Sequence, residues 1–158
     1  MPIETLPTTK IAYMRQVGPY GPPLMDLWKR FNKWVDRRRL LSDKTIRFGL
    51  SLDNPMTTPP DQLRYDAAIV VDDKFQVDLT LDPDIELKIL EGGEYLMTPF
   101  EGTGKEIGPA FEKLFNETVP KSGRSFDYRR DVLERYVGRK IDGSTAGSFR
   151  CDLGIPVK

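Results

Sequence analysis

The chain aligns with itself at offsets of 83 and 86 residues, and this constrains its fold more than any one motif does. Shifted by 83 residues, Met14 falls on Met97, Leu24 on Ile107, Leu27 on Ala110, Trp28 on Phe111 and Phe31 on Leu114. Shifted by 86, the segment Arg64-Tyr-Asp-Ala-Ala-Ile-Val-Val71 falls on Arg150-Cys-Asp-Leu-Gly-Ile-Pro-Val157, and the two share Arg-x-Asp-x-x-Ile-x-Val. Any two amphipathic helices align at some offset, but they do not also bring the strands behind them into line within three residues of that offset. The sequence therefore predicts two copies of one unit, residues 1–82 and 83–158, meeting at the Asp82-Pro-Asp84 turn inside one domain of 158 residues.

Each copy reads strand–strand–helix–strand–strand. From Leu24 onward, Leu27, Trp28, Phe31, Trp34 and Val35 fall within about 120° of one helical face, with Lys29, Lys33 and Arg37 opposite. Pro22-Pro23 lies where a first helical turn tolerates proline. The second helix repeats the stripe with Ile107, Ala110, Phe111, Leu114 and Phe115. Thr103 and Glu106 have capping-box spacing, which starts it near residue 104, and Pro120 and Gly123 end it. Strands are expected at 3–6, 9–17, 46–52, 64–72, 86–91, 94–101, 131–138 and 148–157. Gly92-Gly93 reads as a tight hairpin turn, and Asp142-Gly143 within 139–147 as a longer hairpin loop. The expected class is α+β: an antiparallel sheet with two helices and a ligand cleft between the halves along a pseudo-twofold axis.

Composition removes several kinds of chemistry. There is no histidine and the one cysteine is Cys151, so a Ser-His-Asp triad, a Cys-His dyad, an intrachain disulfide and a conventional zinc site are excluded. No metal and no cofactor is expected. Twenty-four Lys and Arg balance 24 Asp and Glu, so no net field draws in nucleic acid or acidic lipid. The N-terminus lacks the pattern of a signal peptide and no run is long enough to span a membrane, so a cytoplasmic location is expected, with neither membrane nor direct nucleic-acid contact.

Few residues remain to carry a function. Gly102-Thr-Gly-Lys105 lacks the first glycine and the final Ser or Thr of a phosphate loop and reads as a helix start. The basic run Arg37-Arg-Arg39 reads as a solvated helix end. In Asp131-Val-Leu-Glu-Arg-Tyr-Val137, alternation sets Glu134 and Tyr136 on one strand face. Alternation alone leaves Glu134 either a solvated strand carboxylate or a pocket group. In an aromatic-lined pocket such a carboxylate would suit an organic cation, or would serve as an acid or base.

Several motifs follow one another in a set order: Val17-Gly-Pro-Tyr20, the helix with Trp28 and Trp34-Val35, and Asp53-Asn-Pro55 followed by Thr58-Pro-Pro-Asp-Gln-Leu-Arg-Tyr-Asp66. Gly93-Glu-Tyr95, Leu133-Glu-Arg-Tyr136 and Asp152-Leu-Gly-Ile-Pro-Val157 complete the series. Together they resemble, over nearly the whole chain, the gyrase-inhibitor-like proteins and the related effector-binding domains of AraC- and MerR-type activators. The resemblance implies a duplicated α+β unit with a ligand cleft between the halves. It also implies that Glu134 is the buried carboxylate facing hydrophobic cations, that Tyr136 is the tyrosine of the same motif, and that Asp152 stands where the last strand often carries Glu. Many such proteins carry a tyrosine pair before Asp-Asn-Pro, where this chain has Ser51-Leu52. Some hydrolyse cyclopropane-bearing genotoxins with Glu and Tyr, and lack of that pair favours a binder over an enzyme. The expectation is a stand-alone receptor for hydrophobic or amphipathic small molecules, cationic ones among them. Glu134 would be the anchor, beside Tyr136, and Tyr13, Trp28, Phe48 and Phe100 the aromatic walls. Xenobiotic hydrolysis through Glu134 and Tyr136, and interaction with gyrase, are the alternatives.

Overall fold

The computed structural model describes residues 2–138 and 147–158. The elements run β1 (Ile3–Leu6), β2 (Thr9–Val17), α1 (Pro23–Arg37), β3 (Ile46–Ser51) and β4 (Arg64–Val70). There follow β5 (Glu86–Leu90), β6 (Gly93–Gly102), α2 (Gly104–Lys113), a π turn (Leu114–Thr118), a short α3 (Val119–Lys121), β7 (Val132–Val137) and β8 (Phe149–Pro156). Every expected strand and both helices form. The expected loop around Asp142-Gly143 lies outside the described residues. No helix among the described residues is long and apolar enough to cross a membrane.

The fold is α+β, with one eight-stranded sheet ordered β1-β6-β8-β7-β3-β4-β2-β5. Every neighbouring pair is antiparallel. Exchanging β1 with β5, β2 with β6, β3 with β7 and β4 with β8 leaves this order unchanged, and the centre falls between β3 and β7. Gly92-Gly93 is not a hairpin turn. β5 pairs with β2, and β6 with β1 and β8, so the two strands that it joins lie toward opposite edges of the sheet. Three peptide links reach at most about 11 Å, whereas the six strand spacings between them in a flat sheet would amount to roughly 29 Å. The sheet must curl until its edges meet. At the meeting point the Gly92 N–H donates to Thr8 Oγ1 at 3.0 Å. A β-carbon on Gly92 would lie 2.2 Å from the Leu6 carbonyl oxygen, so this crossing needs glycine.

Strand alternation sorts the core onto two faces. One face lies under the helices and carries Ala12, Met14, Tyr65, Ala67, Ile69, Tyr136, Cys151 and Leu153. On it pack Leu27, Trp28, Phe31, Trp34 and Val35, the face of α1 expected from periodicity. The concave face carries Leu6, Ile11, Tyr13, Phe48, Leu50, Leu90, Tyr95 and Leu133.

The aspartates of the two Arg-x-Asp segments are both held by arginine, though from different strands. Asp66, wholly buried, is clamped by Arg15 at 2.8 and 3.0 Å and by Lys88 at 2.6 Å. Asp152, 86 residues later, is held by Arg135 at 3.0 and 3.2 Å. The boundary turn is anchored too, since Trp34 donates to the buried Asp82 at 2.5 Å and Arg38 pairs with the same carboxylate. Arg38 of the basic run is thus an internal tie, not a solvated end.

Candidate functional site

β7 and β3 lie side by side at the centre of the sheet, with Glu134 opposite Gly49 and Tyr136 opposite Arg47. Alternation turns Glu134 and Tyr136 toward the helices, and α1 packs over them. Glu134 is only 7% exposed. Its Oε1 accepts hydrogen bonds from Tyr136 Oη at 2.9 Å and Tyr65 Oη at 3.0 Å, and Tyr65 Oη accepts one from Trp28 Nε1 at 3.1 Å. The Trp28 ring meets Tyr136 edge-on at 5.3 Å. Phe149 lies 6.3 Å from Tyr136, and Phe100 5.7 Å from Phe149. The result is a buried carboxylate set into a continuous run of aromatic rings.

The surroundings fix the protonation of the two phenols. Burial, reinforced by the Glu134 charge, raises Tyr65 and Tyr136 well above the usual phenol range, so both keep their protons and donate them. Arg47 is also buried; it donates to Asn32 Oδ1 at 2.9 Å, and its guanidinium carbon lies 6.0 Å from the centre of the Tyr136 ring. A cation and an anion therefore flank the same phenol, within an apolar setting where each charge counts for more than in water.

The six residues selected from the sequence divide between the two faces. Glu134, Tyr136, Trp28 and Phe100 share the helix-covered face. Tyr13 and Phe48 lie on the concave face and cannot wall the same site. Residue type marked them as aromatic, but strand parity sets their direction. Tyr13 donates to Glu86 at 2.9 Å and lines an open depression of about 370 Å³ with Arg15, Arg30 and Pro83. Phe48 lines a separate cavity of about 210 Å³ with Leu133, Leu6 and Leu90.

Tyr65 and Gly49 are site residues that the residue selection missed. A glycine in the middle of a β-strand is the signal that could have found them, because it often marks a close approach. Here a β-carbon on Gly49 would lie 2.0 Å from Tyr65 Oη and 2.9 Å from Glu134 Oε1.

The second helix is the thinner wall. None of its residues over Gly104–Lys113 is buried, and Ile107, Ala110 and Phe111 are only partly covered against the core. Phe115, expected on its apolar face, is 36% exposed and meets Phe126 at 5.2 Å, because the helix widens into the π turn from Leu114.

The family model of a GyrI-like small molecule binding domain matches residues 1–158. The SPbeta prophage-derived protein YosT of Bacillus subtilis (strain 168) is 30% identical over 99% of this chain and 97% of its own length. A DNA gyrase inhibitor of Edwardsiella ictaluri (strain 93-146) is 28% identical over 99% of this chain and 96% of its own. Among solved structures, the EcmrR C-terminal domain superposes with a TM-score of 0.74 at 14% identity, over 99% of this chain and 96% of that one. Against the longer EcmrR chain in its complex with DNA, the match spans 56% of that chain. SAV2435 bound to tetraphenylphosphonium gives a TM-score of 0.61 at 12% identity, over 99% of this chain and 93% of that one.

Proposed function

The chain belongs to the GyrI-like family of small-molecule-binding domains, and from that premise we propose that it binds hydrophobic and amphipathic organic molecules, cations among them, over Glu134 on the helix-covered face. The observation that carries this reading is the state of Glu134: a carboxylate 7% exposed, held by two phenols within a run of aromatic rings. A carboxylate taken out of water stays put only where donors and opposite charge surround it. Here two phenols donate to it, and a cationic ligand stacked on the rings would add a further attraction of opposite sign. The phenols and the Trp28 N–H hold the carboxylate in place before any ligand arrives. Access would come at α2, the less buried of the two helices over this face.

The test is a pair of titrations by calorimetry, with tetraphenylphosphonium as the cation and triphenylphosphine oxide as a neutral analogue of similar shape. Glu134→Gln keeps the shape and removes the charge. It should weaken the cation by about 2–5 kcal/mol and the neutral compound far less. Equal losses for both, or no loss for either, would remove Glu134 as the anchor. Two further assays address the rival readings. Turnover of a cyclopropane-bearing electrophile that disappears in Glu134→Gln would make the site hydrolytic. Inhibition of purified gyrase supercoiling would move the function to a protein partner, in line with the naming of the Edwardsiella relative.

A further inference from the structure

The concave face holds a cavity of about 210 Å³ on the side of the sheet away from Glu134. Its floor is Phe48 and Leu133 from the two central strands, and Leu6 and Leu90 come in from the two edges that the curl brings together. Both halves therefore wall it. We propose that this cavity is a second ligand site, for small neutral aromatic molecules of about one substituted ring. It does not rest on the Glu134 reading and could stand if that reading fell.

Size, charge and closure support this occupant. An apolar cavity of about 150 Å³ accepts benzene, so the larger space here suits a ring with one or two substituents. An α-helix is about 10–12 Å across with its side chains, so no helical partner segment fits. Its most enclosed charge, Arg135, is spoken for by Asp152 at 3.0 and 3.2 Å and by Glu4, which leaves little to hold an ionised ligand. The turn at Gly92, hydrogen-bonded to Thr8, forms part of the rim, so the mouth is bounded by backbone. The cavity is also back to back with the first site: on β7, Leu133 and Arg135 face it, while Glu134 and Tyr136 face the helices.

Toluene titrated into the full chain, followed by methyl NMR, tests the proposal. Saturable shifts are expected at the Leu6, Leu90 and Leu133 methyls, and benzoate should bind about tenfold or more weakly than toluene. Thr9→Trp, placed at the rim, should weaken toluene by a similar factor, and Ile46→Trp serves if that variant fails to fold. The proposal is overturned by shifts that map instead around Trp28, by benzoate binding as tightly as toluene, by folded plug variants without effect, or by the absence of saturation.

Discussion

Gly49 is the residue on which the helix-side site turns. With any side chain there, the Tyr65 phenol would have to leave Glu134, because the new β-carbon would stand 2.0 Å from Tyr65 Oη. A buried carboxylate that loses one of its donors costs about 1–3 kcal/mol. Gly49→Ala should therefore destabilise the fold by about that amount in urea unfolding. In a Tyr65→Phe background the same change should cost less, since the nearest atom that it strikes is gone and only the ring Cζ and Glu134 Oε1, each at 2.9 Å, are left to shift; an undiminished cost would place the strain elsewhere. At this scale the sequence was only partly legible. The pairing of Glu134 with Tyr136 follows from a spacing of two on a strand. That Tyr65 completes the set depends on the β3–β4 and β3–β7 registers, which bring residues 16 and 69 positions apart from Gly49 and Glu134 respectively onto one spot, and no local pattern encodes a register. Tyr13 and Phe48 were misdirected for the same reason.

Between elements, the contrast is between two helices with the same sequence periodicity and different burial. α1 buries Leu27, Trp28, Phe31, Trp34 and Val35, and its Trp34 and Arg38 reach Asp82. α2 buries nothing before Leu114, contains Pro109, and widens into a π turn ahead of Pro120, which has no N–H to continue the ladder. Its start is secure, with the Thr103 N–H donating to Glu106 at 3.0 Å as the capping spacing predicts. Native-state hydrogen exchange should find the α2 amides opening at free energies well below the global value, and those of α1 near it. Equal protection would mean that α2 is not the yielding wall of the Glu134 site. The start of α2 was legible because capping is local. Its shallow burial was not, because an apolar stripe announces a face without telling how much surface waits to receive it.

Across the whole molecule, the buried phenols set an upper limit in pH. Burial pushes Tyr20 and Tyr95 up to about 12, and Tyr65 and Tyr136 are also raised. In the unfolded chain these groups ionise near 10. Raised native values favour the native state in full below about pH 10, and that stability drains away as pH climbs toward 12 and the unfolded chain alone sheds protons. The urea midpoint should fall steeply over that interval, with phenolate absorbance rising together with unfolding. Phenolate absorbance that rose ahead of unfolding would show that the phenols are not withheld. We take residues 1–82 and 83–158 as two copies of one unit, and the strand order predicts that neither is self-sufficient. A fragment ending at residue 82 keeps β1 without β6, and β2 without β5 on its outer side. It should fail to give a dispersed amide spectrum as a monomer; if it gave one, the exchange of edge strands would be dispensable.

That exchange also imposes an order in time. Of the eight strands described, β1 leaves the ribosome earliest, yet its only strand partner among the described residues is β6, where Ile3 pairs with Leu96. At about 5–20 residues per second, the opening strand waits on the order of 5–20 s for that partner to be made. Through that interval β1 stays unpaired, so its short length and its exposed Thr5 limit what else it can join. The earliest of these strands to be made is among the last to find its place.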